Sequence, residues 1–382
     1  MGGNSPFCRL RCPTTPAPDL PARPLEAPPR RVSVPRVINR VRTVDAHVGG
    51  QTLRLVVEGM PHPPGRTMRD KRAWLRKRAD AVRGAVVLEP RGHADIVAAV
   101  LTEAVSPEAH AGILFMDGGG YPAISGHGII AAATIAVARG LVVAGDSHDH
   151  DVRLAFDTPA GVVRTVVHSD ARGPDRRVHS VVFTNVPSFV HAAAHTVRLG
   201  TRDMRVDIAF GGLFYAIVDT EAVGIPLRPE RLNDLRSLGV QLQSALNATA
   251  DVVHPADADL SGVSGVIFTG PPTDPEAHLR SVVVAGAVVD RSPGGTATAA
   301  VMAVLDAMGL LADDRHFVHE SITGALFRGR AVRHTVIGEH AALIAAIEGT
   351  AWITGEHTFL LDDDDPLRDG LRFENRLESR NR

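Results

Sequence analysis

Cysteine is nearly absent from this 382-residue chain: there are two, Cys8 and Cys12, both in an N-terminal stretch crowded with proline and arginine. The rest carries no thiol, which excludes a disulfide framework, a zinc site built on thiolates and a cysteine nucleophile. Lysine is as scarce, with only Lys71 and Lys77, inside the charged run from Arg69 to Arg78. Such a run predicts a solvated face. A pyridoxal-phosphate enzyme needs a pocket lysine for its Schiff base, so that chemistry is disfavoured. Charge of one sign is also missing, with 41 Lys plus Arg against 43 Asp plus Glu. That balance argues against nucleic acid or an anionic membrane as partner. No run of about 18 apolar residues and no secretory apolar segment occurs, so the expected location is the cytoplasm.

What is present points to a globular chain, 44% hydrophobic and long enough for two packed domains. Residues 1–36 hold phrases such as Pro13-Thr14-Thr15-Pro16 and Pro28-Pro29-Arg30-Arg31, a composition that stays extended. From Asp362 onward the chain is charged and is expected to trail over the surface, with 369–382 a tail. Between these ends, β-rich runs alternate with Gly and Pro: Val86 to Leu88, Ile113 to Met116, Val162 to Val167, Val181 to Phe183, Ile208 to Val218 and Val282 to Val289. Two helices are apolar on every side, Ile129 to Ala138 and Ala297 to Met308, and must be buried. Each follows a strand and a Gly-rich turn, and the turns start 169 positions apart, at Ser125 and Gly294. The expectation is a sheet-rich α/β (α+β) protein of two similar halves, 37–190 (rejoined by 340–368) and 191–339. Each sheet wraps a central helix whose N-terminus opens towards the other half.

A helix N-terminus offers unpaired N–H groups and partial positive charge, and flanking glycines let a ligand approach the backbone. Two such ends at one cleft would grip the carboxylate of a small amino or imino acid and stabilise charge as its α-carbon loses a proton. The words at these turns are specific. Asp290-Arg291-Ser292-Pro293-Gly294-Gly295-Thr296 resembles the Asp-Arg-Ser-Pro-Cys-Gly-Thr motif of the proline racemase family, and Ser125-Gly126-His127 resembles its Cys-Gly-His motif. Further matches run from about residue 40 to 368, among them Val44 to Gly50, Glu89 to His93, Asn185 to Phe189, Asp207 to Gly212 and Glu320 to Gly324.

The resemblance implies a diaminopimelate-epimerase-like fold and a cofactor-free, metal-free reaction on a proline-like imino acid. It also implies a homodimer as the usual assembly. By the same resemblance Gly126, His127, Gly295 and Thr296 hold the substrate carboxylate, and Asp290 pairs with the imino nitrogen. Two cysteines on opposite faces of the α-carbon then remove and return the proton. Here those positions are Ser125 and Gly294. Glycine carries no proton, so the two-base route lacks its second group. Family members that dehydrate trans-3-hydroxy-L-proline keep a base on the first side only, and serine occurs at the first position in some members. The leading expectation is therefore a hydro-lyase giving pyrroline-2-carboxylate, with Ser125 as single base. The alternatives are a proline or hydroxyproline racemase or epimerase, and a non-catalytic imino-acid-binding relative. A serine hydroxyl ionises far less readily than a thiol of pKa about 8.5. Ser125 therefore needs an imidazole beside it: His127, then His93, then His47 are the candidates.

Plainer readings compete. Ser125 and Asp290 are also ordinary helix-capping residues, while Arg91, His93 and His47 suit turn-fixing hydrogen bonds. The cluster Ser147-His148-Asp149-His150-Asp151 reads as a solvated loop before it reads as a metal site. Gly118-Gly119-Gly120 lacks the Lys-Ser/Thr of a phosphate loop.

Overall fold

A computed structural model describes residues 38–143, 151–170, 176–286, 288–311 and 315–372. The proline-rich 1–36, the tail beyond 372 and residues 147–150 of the His-Asp cluster lie outside this set. The described residues form one compact unit, a mixed α/β structure dominated by sheet.

Its first strands are β1 (Ile38–Val48), β2 (Gln51–Glu58), β3 (Val97–Thr102), β4 (Ala111–Met116), β5 (Val152–Thr158), β6 (Gly161–Ser169) and β7 (Val178–Thr184). Helices α1 (Met68–Arg78) and α2 (Asp80–Val87) lie between β2 and β3, and α3 (Gly126–Ala138) between β4 and β5. There follow β8 (Ser188–Leu199), β9 (Arg202–Phe210), β10 (Phe214–Asp219), the ribbon β11 (Val253–His254) and β12 (Asp257–Ser261), then β13 (Val263–Gly270). Next come β14 (Leu279–Ala285), β15 (Val288–Asp290), β16 (Phe317–Ser321) and β17 (Leu326–Ile337). Helices α4 (Thr220–Val223) and α5 (Leu232–Thr249) follow β10, and α6 (Gly295–Ala307) follows β15. The last strands are β18 (His340–Gly349) and β19 (Ala351–Asp362).

The pairing repeats. From β1 to β7 successive partners run antiparallel, parallel, antiparallel, parallel, antiparallel, antiparallel. From β9 through β10, β13, β14, β16 and β17 to β18 the same order recurs. Helices occupy matching places: α1 and α2 answer to α4 and α5, and α3 answers to α6. The fold is thus two pseudo-symmetric halves. The segment 340–368 divides between them, because β19 pairs with β1 whereas β18 pairs with β17, β7 and β8. Pairing of β18 with β8 closes the second sheet into a ring around α6.

Burial explains the two central helices. Ile129, Ile130 and Ile135 of α3 and Ala297, Ala299, Ala300 and Met302 of α6 are fully enclosed. Each large side chain so enclosed contributes about 1.5–3 kcal/mol. Ser125 starts α3 as its N-cap, the hydroxyl accepting from Gly128 N. Gly140 and Gly309, at φ of 62° and 69°, end the two helices in the left-handed region.

Several local expectations differ. Val86 to Val87 is the end of α2 rather than a strand, its apolar face turned to the core beside Ile96 and Leu114. Ile208–Val218 and Val282–Val289 are each two strands, broken at Gly211-Gly212 and around Gly286. Lys71 is buried, and its Nζ donates to the Glu103 carbonyl at 2.6 Å. A long amphiphilic stem in a helix interface wins over the charge-run reading. The charged stretch 362–372 keeps to the surface but is fastened there. Arg91 Nη2 bonds Asp365 at 2.6 Å, Arg91 Nη1 bonds the Leu367 carbonyl at 3.0 Å, and Leu371 N reaches the Glu89 carbonyl at 2.6 Å.

Candidate active site

The two central helices meet tip to tip. A Cβ placed on Gly126 would lie 2.5 Å from Gly295 Cα and 2.6 Å from Thr296 N; one on Gly295 would lie 2.8 Å from Gly126 Cα. Backbone touches backbone there, and only glycine allows it. The first bonds along the helices are Ile129 N to Ser125 O at 2.9 Å and Thr298 N to Gly294 O at 2.7 Å. The N–H groups of Gly126, His127, Gly295 and Thr296 therefore precede any partner in their own helices. Four such donors stand at the positive ends of two helix dipoles, a geometry chemically suited to an anion such as a carboxylate.

At the α3 tip Ser125 and His127 are buried. His127 Nδ1 lies 3.4 Å from Ser125 Oγ and 3.2 Å from Asp290 Oδ2, so one ring nitrogen faces a hydroxyl from one half and a carboxylate from the other. The buried Nε2 has no hydrogen-bond partner. An unpaired N–H costs more there than an unpaired lone pair, and a carboxylate only accepts; both facts place the proton on Nδ1, donated to Asp290. Asp290 is held from behind, its Oδ1 accepting from Ser292 N at 2.8 Å and Ser292 Oγ at 2.7 Å.

Gly294, at the α6 tip, has φ 72° and ψ 117° and offers no side-chain cap. A Cβ there would lie 3.0 Å from Ala297 Cβ and 3.3 Å from Val283 Cγ2, in a backbone conformation that side-chain-bearing residues rarely adopt. Its carbonyl is fixed instead, accepting from Thr298 N and from Thr298 Oγ1, both at 2.7 Å. Since the Thr298 hydroxyl donates to Gly294, it accepts from His319 Nδ1 at 2.8 Å. His319 is wholly buried and neutral, burial pushing its pKa down to about 3.

Thr296 adds a polar group of its own, its hydroxyl bonded to Tyr215 OH at 2.8 Å. Both are buried, and burial raises the Tyr215 phenol above its ordinary range. Tyr215, Thr298 and His319 were not legible as site residues in the sequence, because each acts on a helix tip from a distant strand or a later helical turn. Tyr215→Phe leaves the buried Thr296 hydroxyl unpaired, so it is expected to lower the melting temperature by a few degrees and, by loosening the α6 tip, to lower kcat/KM by about tenfold. Steady-state kinetics beside a thermal melt checks this.

The other two histidines stand elsewhere. His47 Nδ1 accepts from Gly50 N at 3.3 Å, and His93 Nδ1 accepts from Asp95 N at 3.3 Å. Both fix turns, the plainer of their two readings, and neither reaches Ser125. Their motifs instead build the frame behind Asp290. Asp95 accepts from Arg291 Nη2 at 2.8 Å and Val289 N at 3.1 Å, while Gln51 accepts from Arg291 N at 3.0 Å. The Thr323 hydroxyl ties the Gly49 and Arg291 carbonyls together, each at 3.0 Å. Among the described residues no group of three or more His, Cys, Asp or Glu side chains is arranged to hold a metal ion, and no helix is long and apolar enough to cross a membrane.

Residues 43–372 match the family model described as proline racemase. The chain belongs to the proline racemase family. It is 38% identical over 333 residues to a proline racemase of Clostridioides difficile, covering 87% of this chain and 97% of that protein. It is equally 38% identical over 342 residues to a trans-3-hydroxy-L-proline dehydratase of Azospirillum brasilense, covering 88% and 99%. The solved structure of a hydroxyproline epimerase from Agrobacterium vitis, with trans-4-hydroxy-L-proline bound, superposes with a TM-score of 0.80 at 30% identity, covering 88% of this chain and 96% of that one. Family members thus carry names from two reaction classes, isomerase and lyase.

Proposed function

We propose that this member of the family is a hydro-lyase that dehydrates trans-3-hydroxy-L-proline to pyrroline-2-carboxylate, with Ser125 as its single base. The observation that carries the reading is the asymmetry of the two helix tips: a hydroxyl coupled to an imidazole at one, a glycine at the other whose backbone disfavours any side chain. Racemisation needs proton donors on both faces of the α-carbon; elimination needs one.

In this reading the substrate carboxylate sits on the N–H groups of Gly126, His127, Gly295 and Thr296, and its cationic nitrogen pairs with Asp290. That cation competes with His127 Nδ1 for the same carboxylate oxygen. With Asp290 engaged, the Nδ1–H tautomer loses its acceptor; the ring proton passes to Nε2, where the unpaired N–H costs less than a blocked Nδ1–H, and Nδ1 becomes an acceptor for the Ser125 proton, the ring then being an imidazolium. Ser125 then takes the α-proton. The charge spreading onto the substrate carboxylate meets two helix dipoles and fixed N–H donors, which stabilise it more than they stabilise the ground state.

Stereochemistry favours the same assignment. In the trans isomer the carboxylate and hydroxyl lie on opposite ring faces, so the α-hydrogen and the 3-hydroxyl share one face. A single group on that face removes the α-proton and returns it to the departing oxygen. The C2–H and C3–O bonds break, the C2–C3 double bond forms, water leaves, and the enamine tautomerises to the cyclic imine. Incubating the purified protein with trans-3-hydroxy-L-proline is expected to yield that imine. No turnover, with binding of pyrrole-2-carboxylate intact, contradicts the reading and favours a binding protein.

A further inference from the structure

Asp290 is carried by β15, a strand of three residues that pairs with β14 along one edge. So short a segment is not placed by pairing on one side; something must hold the other. The holder is Asp95, in the loop between α2 and β3 of the opposite half. Its Oδ1 accepts from Val289 N and from Arg236 Nη2, both at 3.1 Å. Its Oδ2 accepts from Arg291 Nη2 at 2.8 Å and again from Arg236 Nη2 at 3.1 Å. Val289 and Arg291 flank Asp290 in the chain, and Arg236 comes from α5. All three donors belong to the second half.

Gln51 completes the arrangement from the first half. Its Nε2 donates to the Asp95 carbonyl at 2.6 Å, while its Oε1 accepts from Arg291 N at 3.0 Å. Asp95 is 6% exposed and Gln51 fully buried, so solvent does not stand in for a lost bond. Only an ionised carboxylate accepts at both oxygens; an amide of the same shape would turn N–H groups towards an arginine. His127 is in the first half and Asp290 in the second, so their 3.2 Å contact depends on how the halves are registered at this point.

We propose that Asp95 is a positioning residue that fixes, from the first half, the place of the Asp290 carboxylate beside His127, and thereby which nitrogen of His127 carries the proton before substrate arrives. The claim rests on the His127–Asp290 pair used in the proposed reaction, and not on which reaction follows.

The test is a long-range proton–nitrogen NMR spectrum of the ligand-free protein at about pH 8.5, well above the ordinary histidine pKa of about 6.5. Such a spectrum distinguishes the two neutral tautomers. His127 should carry its proton on Nδ1 in the wild type. It should do the same in Asp157→Asn, a control that weakens another buried carboxylate, one accepting from Val105 N and Ser106 N. In Asp95→Asn the proton should move mainly to Nε2, because Nδ1–H has lost its acceptor. Arg291→Gln, altered at a partly exposed side chain, should give the same shift and decides the matter if Asp95→Asn does not fold. The tautomer is read without turnover, so failure of the proposed reaction and failure of this inference are told apart. A proton retained on Nδ1 in the folded variant, or an equal shift in Asp157→Asn, would overturn the inference.

Discussion

Replacing Ser125 with alanine should reduce turnover of the hydroxyproline substrate by about 10²–10⁴-fold, the range expected for loss of a positioned general base. Stability should fall far less. The hydroxyl caps α3 through Gly128 N, and losing such a cap costs about 1 kcal/mol. The disparity separates the base from the cap, since capping alone moves the melt and not the chemistry. Ser125→Cys puts a readily ionised thiol, of reference pKa about 8.5, at the same tip. It should retain turnover and acquire a pH dependence set by thiol ionisation. Kinetics of Ser125→Ala indistinguishable from wild type would place the base elsewhere.

Asp290→Asn should lower kcat/KM by about 10²-fold. The amide keeps the size of the carboxylate and an oxygen to accept from Ser292, so the loop after β15 should hold its shape. What it loses is the anion that orients His127 and that, in the proposed reaction, pairs with the substrate nitrogen. Loss of a charged hydrogen bond accounts for about ten- to hundredfold in affinity, and a misoriented imidazole adds to this in kcat. Binding of pyrrole-2-carboxylate, which carries no cationic nitrogen, should weaken less than binding of the substrate. Equal weakening of both would show that Asp290 only shapes the loop.

The contrast between Ser125 and His319 shows what a sequence can and cannot disclose. The two helix starts, at Ser125-Gly126-His127 and Gly294-Gly295-Thr296, were legible because helix starts are local. An N-cap, a glycine pair and an all-apolar run lie within a dozen residues, and α3 and α6 form where that pattern places them. The pairing of His127 with Asp290 spans 163 positions. Nothing in either word reveals that their side chains meet. His47 and His93 drew notice for their residue type, yet backbone geometry spends them on turns. The α2 segment failed for a different reason: Ala85-Val86-Val87 is short and apolar, and periodicity cannot separate a buried strand from the last turn of a buried helix. Lys71 failed because sequence order does not show which side of α1 faces β4.

The abutting glycines carry a similar lesson. Gly126 and Gly295 were expected to admit a ligand to the backbone, and they also admit each other. The same lack of side chains that exposes four N–H groups lets two positive helix ends stand in contact. Electrostatically that is unfavourable until an anion arrives. On the proposed reading, the substrate carboxylate is that anion.

The proposed reaction uses one proton-handling face. A proton NMR series in heavy water, with L-proline, trans-4-hydroxy-L-proline and trans-3-hydroxy-L-proline side by side, tests this most directly. Only the 3-hydroxy compound should disappear, into the cyclic imine, and no substrate should gain deuterium at the α-carbon with inversion. Deuterated D-proline or an α-epimer of either hydroxyproline would reveal a second acid opposite Ser125 and contradict the account.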